Sequence, residues 1–148
     1  MIIDTIIGNV DYTDVGQYHI ERVRLRSDDL LKRILRVKTD HGTELGILLE
    51  KNTELRAGDI LHIEGANVIV VDVLPDEVLV IEPTSLRQMG ELAHQIGNRH
   101  IPVQFDGESM LVQFDPLIEQ LLIAREVPYE RTMRTLQQAF RHIGHSHG

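Results

Sequence analysis

The sequence contains no cysteine and no tryptophan, and only 4% of its 148 residues are aromatic. Without cysteine, the chain can form no disulfide bond and cannot capture soft ions such as copper(I) through thiolates. Small secreted domains commonly depend on disulfides, so this absence favours the cytoplasm as the location of the protein. With so few aromatic side chains, the hydrophobic core must consist mainly of Ile, Leu and Val.

A basic surface is also missing, because the formal net charge is −8. The acidic excess is −4 in each half, with 13 acidic and 9 basic side chains in residues 1–75 and 10 and 6 in residues 76–148. Nucleic-acid binding requires cationic side chains that displace counterions, so we predict no nucleic-acid partner. The N-terminal segment MIIDTIIGNV lacks the basic part of a signal peptide and the length of a membrane span, so we predict no membrane partner.

Residues 1–75 have the pattern of a small all-β domain, either a β-sandwich or a barrel-like fold. The segment ERVRLRS alternates apolar and charged side chains, and SDDLLKRIL predicts one helical turn capped by Ser27. Two strands surround a turn at Gly42 in ILRVKTDHGTELGILLE, and two more follow in AGDILHIEG and ANVIVVDVL. We expect the domain to end near residues 74–77, LPDE, where Pro75 and two acidic residues interrupt apolar runs.

Residues 76–141 change to a mixed pattern of strands and helices. A strand, EVLVIEP, precedes an amphipathic helix in TSLRQMGELAHQIGNRH, whose predicted start is a capping box of Ser85 and Gln88 and whose predicted stop is Gly97. Two strands then surround the turn DGE, and Asp115 caps a second helix in DPLIEQLLIAREV. One more strand would complete a ferredoxin-like βαββαβ domain, and the fold class of the chain is predicted as α+β.

The last segment of this domain carries conflicting patterns. Four apolar residues in PYERTMRTLQQAFRH recur at helical spacing: Tyr129, Met133, Leu136 and Phe140. Completing the sheet requires a strand at about 129–136, and we predict that strand from the topology, with a helical turn at QQAF. Residues 142–148, HIGHSHG, offer almost no side chain to bury and are predicted to form a flexible, histidine-containing tail.

Histidines are the residues most suggestive of chemistry. His100 follows the predicted helix stop in IGNRHIP, where its imidazole can point out of the layer and bind nickel, copper or zinc. A lone histidine is more often a plain surface residue, but two copies converge if a symmetric dimer places this loop near its axis. His145 and His147 of the tail can add ligands, although a histidine-rich terminus can also be idle.

The other candidate groups are expected to have structural roles. Four histidines at strand, turn or helix positions are predicted not to be ligands: His19, His41, His62 and His94. The acidic pair Asp106 and Glu108 in DGESM is typical of turn chemistry. The sequence has no P-loop and no GxSxG, HExxH or GxGxxG motif, so we predict that the protein is not an enzyme.

Several segments together carry a family resemblance. They are LLKRILR at 30–36, GTELGILLE at 42–50, LRAGDIL at 55–61 and MGELAHQIGNRHIPV, which contains GNRH at 97–100. In this order, and with the histidine-containing tail, the chain resembles the urease accessory metallochaperone family, UreE, over essentially its whole length. The region SMLVQFD lacks the additional histidine pair that some members carry on the strand after GNRH, so a further internal site of that kind is not expected.

The resemblance implies a non-enzymatic nickel carrier with two domains. Residues 1–75 would bind a partner or peptide, and residues 76–141 would bind metal and form a homodimer. Two copies of His100 would hold one Ni(II) at the dimer interface, with further ligands from His145 and His147. The implied partners are apo-urease and the urease accessory proteins, including the accessory GTPase, and the ion would be delivered to apo-urease during assembly of its active site.

Other functions stay open on the sequence alone. Zn(II) or Cu(II) can bind the same imidazole site, and residue types do not decide among these ions. The first alternative is an adaptor or scaffold of the urease assembly complex that delivers no metal. The second is an enzyme that uses a histidine-bound metal. A metal-responsive regulator is disfavoured because an acidic surface repels DNA.

Overall fold

A computed structural model describes residues 1–141 of the chain. It divides into two compact units, of which the first comprises Met1–Pro75 and Thr135–Ala139 and the second Asp76–Arg134 with Phe140 and Arg141. This division differs from the predicted ranges 1–75 and 76–141 in the placement of residues 135–139. That each predicted range is a separate domain stays a prediction.

The first unit is built from two β-sheets. Its strands are β1 (Ile2–Ile3), β2 (Gly8–Asn9), β3 (His19–Leu25), β4 (Ile34–Lys38), β5 (Glu44–Leu48), β6 (Asp59–Glu64) and β7 (Asn67–Val73). One sheet has the order β1-β5-β4 and the other β2-β6-β7-β3, with β3 and β7 parallel. A single apolar cluster joins Ile47 and Leu45 of one sheet to Val23, Leu25 and Val71 of the other. The predicted all-β character of this half is therefore confirmed.

The predicted cap at Ser27 is wrong. A 3-10 helix spans Ser27–Leu31, and Arg26 occupies the position before its first residue. The Asp29 carboxylate accepts a hydrogen bond from the Arg26 backbone N–H at 3.2 Å, so this end of the helix is satisfied without the Ser27 hydroxyl. Ser27 is instead buried together with Leu30, whose side chain belongs to the core of the unit.

A buried carboxylate interrupts the inward-facing side of β3. Glu21 is only 5% exposed and precedes Val23 and Leu25 on the same side of the strand. Its oxygens accept hydrogen bonds from the Thr39 hydroxyl and, at 3.0 Å, from the Asn67 amide. These donors compensate for the lost hydration of the charge and hold the β4–β5 turn, which begins at Thr39, against β3.

Glu21→Gln should therefore destabilise the protein at neutral pH. The glutamine amide brings an N–H donor to a site where the Thr39 and Asn67 side chains already donate. A buried donor left without an acceptor costs about 1–3 kcal/mol. We expect the free energy of unfolding in urea to fall by that amount. Glu44→Gln is the matched control, because the Glu44 side chain on β5 is 77% exposed. Equal stabilities of the two variants would contradict the structural role assigned to Glu21.

The second unit has the ferredoxin-like order βαββαβ. Its elements are β8 (Asp76–Ile81), α1 (Leu86–Asn98), β9 (Gln104–Asp106), β10 (Ser109–Gln113), α2 (Pro116–Ala124) and β11 (Tyr129–Arg134). The antiparallel sheet has the order β11-β8-β10-β9. Both helices contribute to one core with the sheet, through Leu92, Ile96, Ile118 and Leu122. The predicted α+β fold class is confirmed.

Both helices begin where the sequence predicts, but the capping box of α1 and the buried stripe of α2 differ from the prediction. The Ser85 hydroxyl accepts the Gln88 N–H at 3.1 Å, but the Gln88 side chain reaches the Thr84 N–H instead of closing the box on Ser85. The Asp115 carboxylate accepts the backbone N–H groups at the start of α2. The apolar residues of this segment predict a buried stripe on α2, made of Leu117, Leu121, Leu122 and Ala124. That prediction is wrong at Leu117, which is 62% exposed, and at Ala124, which is also exposed, because Ile118 and Leu122 face the sheet.

The conflict in the last segment is resolved in favour of the strand. Each residue of β11 pairs with β8, from Tyr129 opposite Ile81 to Arg134 opposite Asp76. The helical turn predicted at QQAF is wrong, since residues 137 and 138 form a bend and residues 139 and 140 have no regular secondary structure. No helix in the described part of the chain is long and apolar enough to span a membrane.

Candidate metal centre

His100 lies at the end of α1 in a backbone conformation that is uncommon for its residue type. Its φ is 58°, in the left-handed region. The His100 N–H donates to the Gly97 carbonyl at 3.0 Å, and the Ile101 N–H donates to the Ile96 carbonyl at 3.4 Å. These two bonds define a Schellman motif, whose left-handed position is usually occupied by glycine. The helix therefore ends after Asn98, and the predicted stop at Gly97 is wrong.

An apolar contact explains why the helix closes at His100 and not at Gly97. Ile96 is fully buried, and Ile101 packs against the same cluster after the chain has turned. A Schellman motif commonly brings together the side chains of these two positions. Packing of the partly buried Ile101 against this cluster thus goes with a left-handed residue three positions after Gly97.

A side chain at this position has an energetic cost. The left-handed conformation costs residues other than glycine roughly 1–2 kcal/mol, although histidine, asparagine and aspartate adopt it more often than most. Glycine at position 100 would fold the turn with less strain. The position is therefore one where histidine is not required by the turn.

The surroundings of His100 favour a cation. The imidazole is exposed, and the C-terminal end of a helix carries partial negative charge on its last carbonyl groups. Within residues 1–141, no group of three or more His, Asp or Glu side chains is arranged to hold a metal ion.

The comparison with known proteins identifies the family. Residues 3–74 match the family model "UreE urease accessory protein, N-terminal domain", and residues 76–148 match "UreE urease accessory protein, C-terminal domain". The chain belongs to the UreE urease accessory protein family. This is a family of accessory proteins and not of enzymes, which confirms both the resemblance and the prediction that the protein is not an enzyme.

Curated UreE relatives align with the chain over nearly its full length. The chain is 58% identical over 147 residues to the urease accessory protein UreE of Geobacillus kaustophilus (strain HTA426), covering 99% of each protein. It is 52% identical over 147 residues to that of Bacillus sp. (strain TB-90), again covering 99% of each. It is 51% identical over 151 residues to that of Lachnoclostridium phytofermentans, covering 100% of each.

The other candidate residues of this UreE family member are the tail histidines and the acidic pair at residues 106 and 108. His145 and His147 lie outside the described residues, as does His142. Of the acidic pair, Asp106 lies at the end of β9 and accepts a hydrogen bond from Arg134 at 3.2 Å. This contact agrees with the structural role expected for that turn.

One histidine pair could not be recognised in the sequence. His19 and His41, 22 positions apart, lie with their Nε2 atoms 2.6 Å from each other. Neither residue lies in a recognisable sequence motif. The two come together only through the contact between β3 and the β4–β5 turn. The other two histidines expected to be structural have polar neighbours on their own elements: the His62 Nε2 lies 3.7 Å from the Glu64 carboxylate, and the His94 Nε2 lies 3.3 Å from the Asn98 amide.

Proposed function

We propose that this protein is a nickel metallochaperone that delivers Ni(II) to apo-urease during assembly of the urease active site. It acts as a homodimer, and the two copies of His100 hold the ion at the dimer interface. His145 and His147 supply additional ligands. Zn(II) or Cu(II) can occupy the same site, since imidazole binds all three ions.

The left-handed position of His100 is the observation that carries this proposal. It places an exposed imidazole at the negative end of α1, at a position where glycine would close the turn with less strain. The described part of one chain supplies no closed ligand set there. In a symmetric dimer with its two-fold axis near His100, the same residue of both chains would supply two imidazole ligands.

Such a site suits a carrier better than a store. Two fixed imidazoles leave coordination positions for water, for the tail histidines or for groups of the receiving protein. Ligands can then be exchanged one at a time, so the ion need never be released into solution. A closed site with four protein ligands would hold the metal more permanently.

The proposed partners are apo-urease and the urease accessory proteins, including the accessory GTPase, in the cytoplasm. The relatives' name, urease accessory protein, supports this assignment. We assign partner binding to the first unit, which carries a groove of about 450 Å³ beside Asn9 and Arg56. Tyr12 lines the groove with a side chain that is 90% exposed, which is typical of a surface that contacts another protein.

Stoichiometry and mass test the proposal together. We expect calorimetry to give one tightly bound Ni(II) per two chains and light scattering to give the mass of a dimer. His145→Ala combined with His147→Ala should weaken binding, because auxiliary ligands are lost while His100 remains. Urease activation in nickel-limited cells should fall with His100→Ala.

Three results would contradict the assignment of this protein as a metallochaperone. One ion per chain that is unaffected by His100→Ala would exclude the interface site. A His100→Ala protein that still activates urease under nickel limitation would favour the adaptor function instead. Metal-dependent turnover lost in His100→Ala would favour an enzyme.

A further inference from the structure

The first unit contains a pair of histidines whose geometry has no counterpart elsewhere in the described residues. The Nε2 atoms of His19 and His41 are 2.6 Å apart, and the ring centroids are 4.8 Å apart at an interplanar angle of 58°. The two nitrogens that face each other are the atoms by which imidazole binds metals. Both side chains are exposed, so an ion can approach them from solvent.

The backbone around both residues is held in place. His19 begins β3, and its N–H donates to the Ala66 carbonyl at 2.7 Å. The β4–β5 turn that carries His41 is tied to β3 by two bonds at 2.9 Å, from the Asp40 N–H to the Arg22 carbonyl and from the Arg22 N–H to the Asp40 carboxylate. The backbone segments that carry the two histidines are thus held together along β3.

Asp40 also fixes the orientation of one ring. The His41 Nδ1–H donates to the Asp40 carboxylate at 2.7 Å, which leaves the lone pair of His41 Nε2 directed at His19. Metal-binding histidines commonly donate their other ring N–H to a carboxylate in this way. The backbone N–H of Arg22, and then the His41 side chain, hold the pKa of Asp40 below its usual range, so this group is a carboxylate.

The charges near the pair also favour a cation. Hydrogen bonds from Thr39, followed by those from Thr43 and Asn67, lower the pKa of Glu21, which interacts electrostatically with His41. Two carboxylates, those of Glu21 and Asp40, therefore lie close to the imidazoles. Arg24 of β3, a cation that acts electrostatically on Asp40, is engaged with Asp72 at 3.5 Å.

We propose that His19 and His41 form a second divalent-metal site, separate from His100, with affinity for borderline ions such as Cu(II), Ni(II) and Zn(II). Metal–nitrogen bonds of about 2.0–2.1 Å place two ligands of one ion about 2.9–3.4 Å apart. The observed 2.6 Å therefore has to widen by about 0.3–0.8 Å, which rotation of an exposed side chain provides.

We expect this site to bind metal weakly and to be open to solvent. Two imidazoles supply two ligands, and water completes the coordination, so exchange is fast. His41 offers its lone pair without a change of tautomer, whereas His19 must carry its proton on Nδ1. The expected order of affinity places Cu(II) above Ni(II).

Imidazole nuclear magnetic resonance of the full-length protein tests the proposal directly. Zn(II) is the probe, because it is diamagnetic and keeps the spectra sharp. During titration of the ¹⁵N-labelled wild-type chain, we expect the Nε2 resonances of His19 and His41 to shift together. The resonances of His62, on β6 of the same unit, should not change. The experiment needs no variant and therefore does not depend on the folding of one.

Variants then separate this site from the one at His100. His19→Asn or His41→Asn should remove a weak Zn(II) step per chain in calorimetry, whereas His62→Asn and His100→Ala should retain it. Asp40→Asn should weaken the step by about 10- to 100-fold, because the ring loses its supporting carboxylate. If His19 and His41 resonances stay unchanged in excess Zn(II), the pair only shares a proton and the proposal fails, whatever happens at His100.

Discussion

His100→Gly should abolish tight nickel binding while making the metal-free protein more stable. Relief of the left-handed strain contributes roughly 1–2 kcal/mol. The greater chain entropy of glycine in the unfolded state offsets about 0.5–1 kcal/mol of this gain. The strain is the larger effect, so we expect the free energy of unfolding in urea, measured with a chelator present, to rise by about 0.5–1 kcal/mol.

The same variant should lose at least about 100-fold in Ni(II) affinity, since a direct ligand matters at least as much as the groups that support ligands. His100→Ala is the matched control. It also lacks the imidazole but keeps a Cβ at φ 58°, so it should bind nickel as poorly as His100→Gly and be no more stable than the wild type. A His100→Gly protein that binds nickel normally, or that is less stable than His100→Ala, would refute the role assigned to His100 in the turn.

The fold was largely predictable because its local patterns agree with its packing. Alternating side chains predicted β3, and the apolar face of the segment around Leu92 and Ile96 predicted α1. The strand at Tyr129–Arg134 was the exception, since its own spacing is helical. Pairing along the whole of β8 overrode that local pattern, and the topology of the βαββαβ unit was the better guide.

The two histidine sites were predictable to very different degrees. His100 could be named because it follows an amphipathic helix and belongs to the segment GNRH, but its backbone conformation could not. Gly97 is the residue whose type suggests a helix stop, but the turn that packs the partly buried Ile101 against the core lies at His100. The position of the strained residue is thus decided by tertiary packing.

The pair of His19 and His41 could not be predicted from spacing at all. The two residues meet because a buried carboxylate, Glu21, holds Thr39 and its turn against β3. In the sequence, Glu21 shares the alternation phase of Val23 and Leu25, but nothing there shows that a charged side chain is buried or which turn it holds. An inward-facing acid that organises a turn gives no periodic pattern, so its consequences appear only in three dimensions.

Ile96→Ala should destabilise the protein more than Glu21→Gln does. Ile96 is fully buried in the core between helix and sheet, and its truncation leaves a cavity that costs about 2–5 kcal/mol. We expect the urea midpoint of the metal-free protein to fall accordingly. Leu86→Ala is the control, since Leu86 lies on the same helix with 92% of its surface exposed and should change stability by less than about 0.5 kcal/mol.

Nickel should restore part of the stability that Ile96→Ala removes. A ligand that binds only the folded state adds about 2.7 kcal/mol at 100 times its dissociation constant. The Ile96 carbonyl accepts the hydrogen bond that closes the turn around His100, so core and proposed site are joined through one helical turn. Stabilisation by Ni(II) in the wild type and in Ile96→Ala, but not in His100→Gly, is the expected pattern. Equal stabilisation of all three would place the tight nickel site elsewhere in the chain.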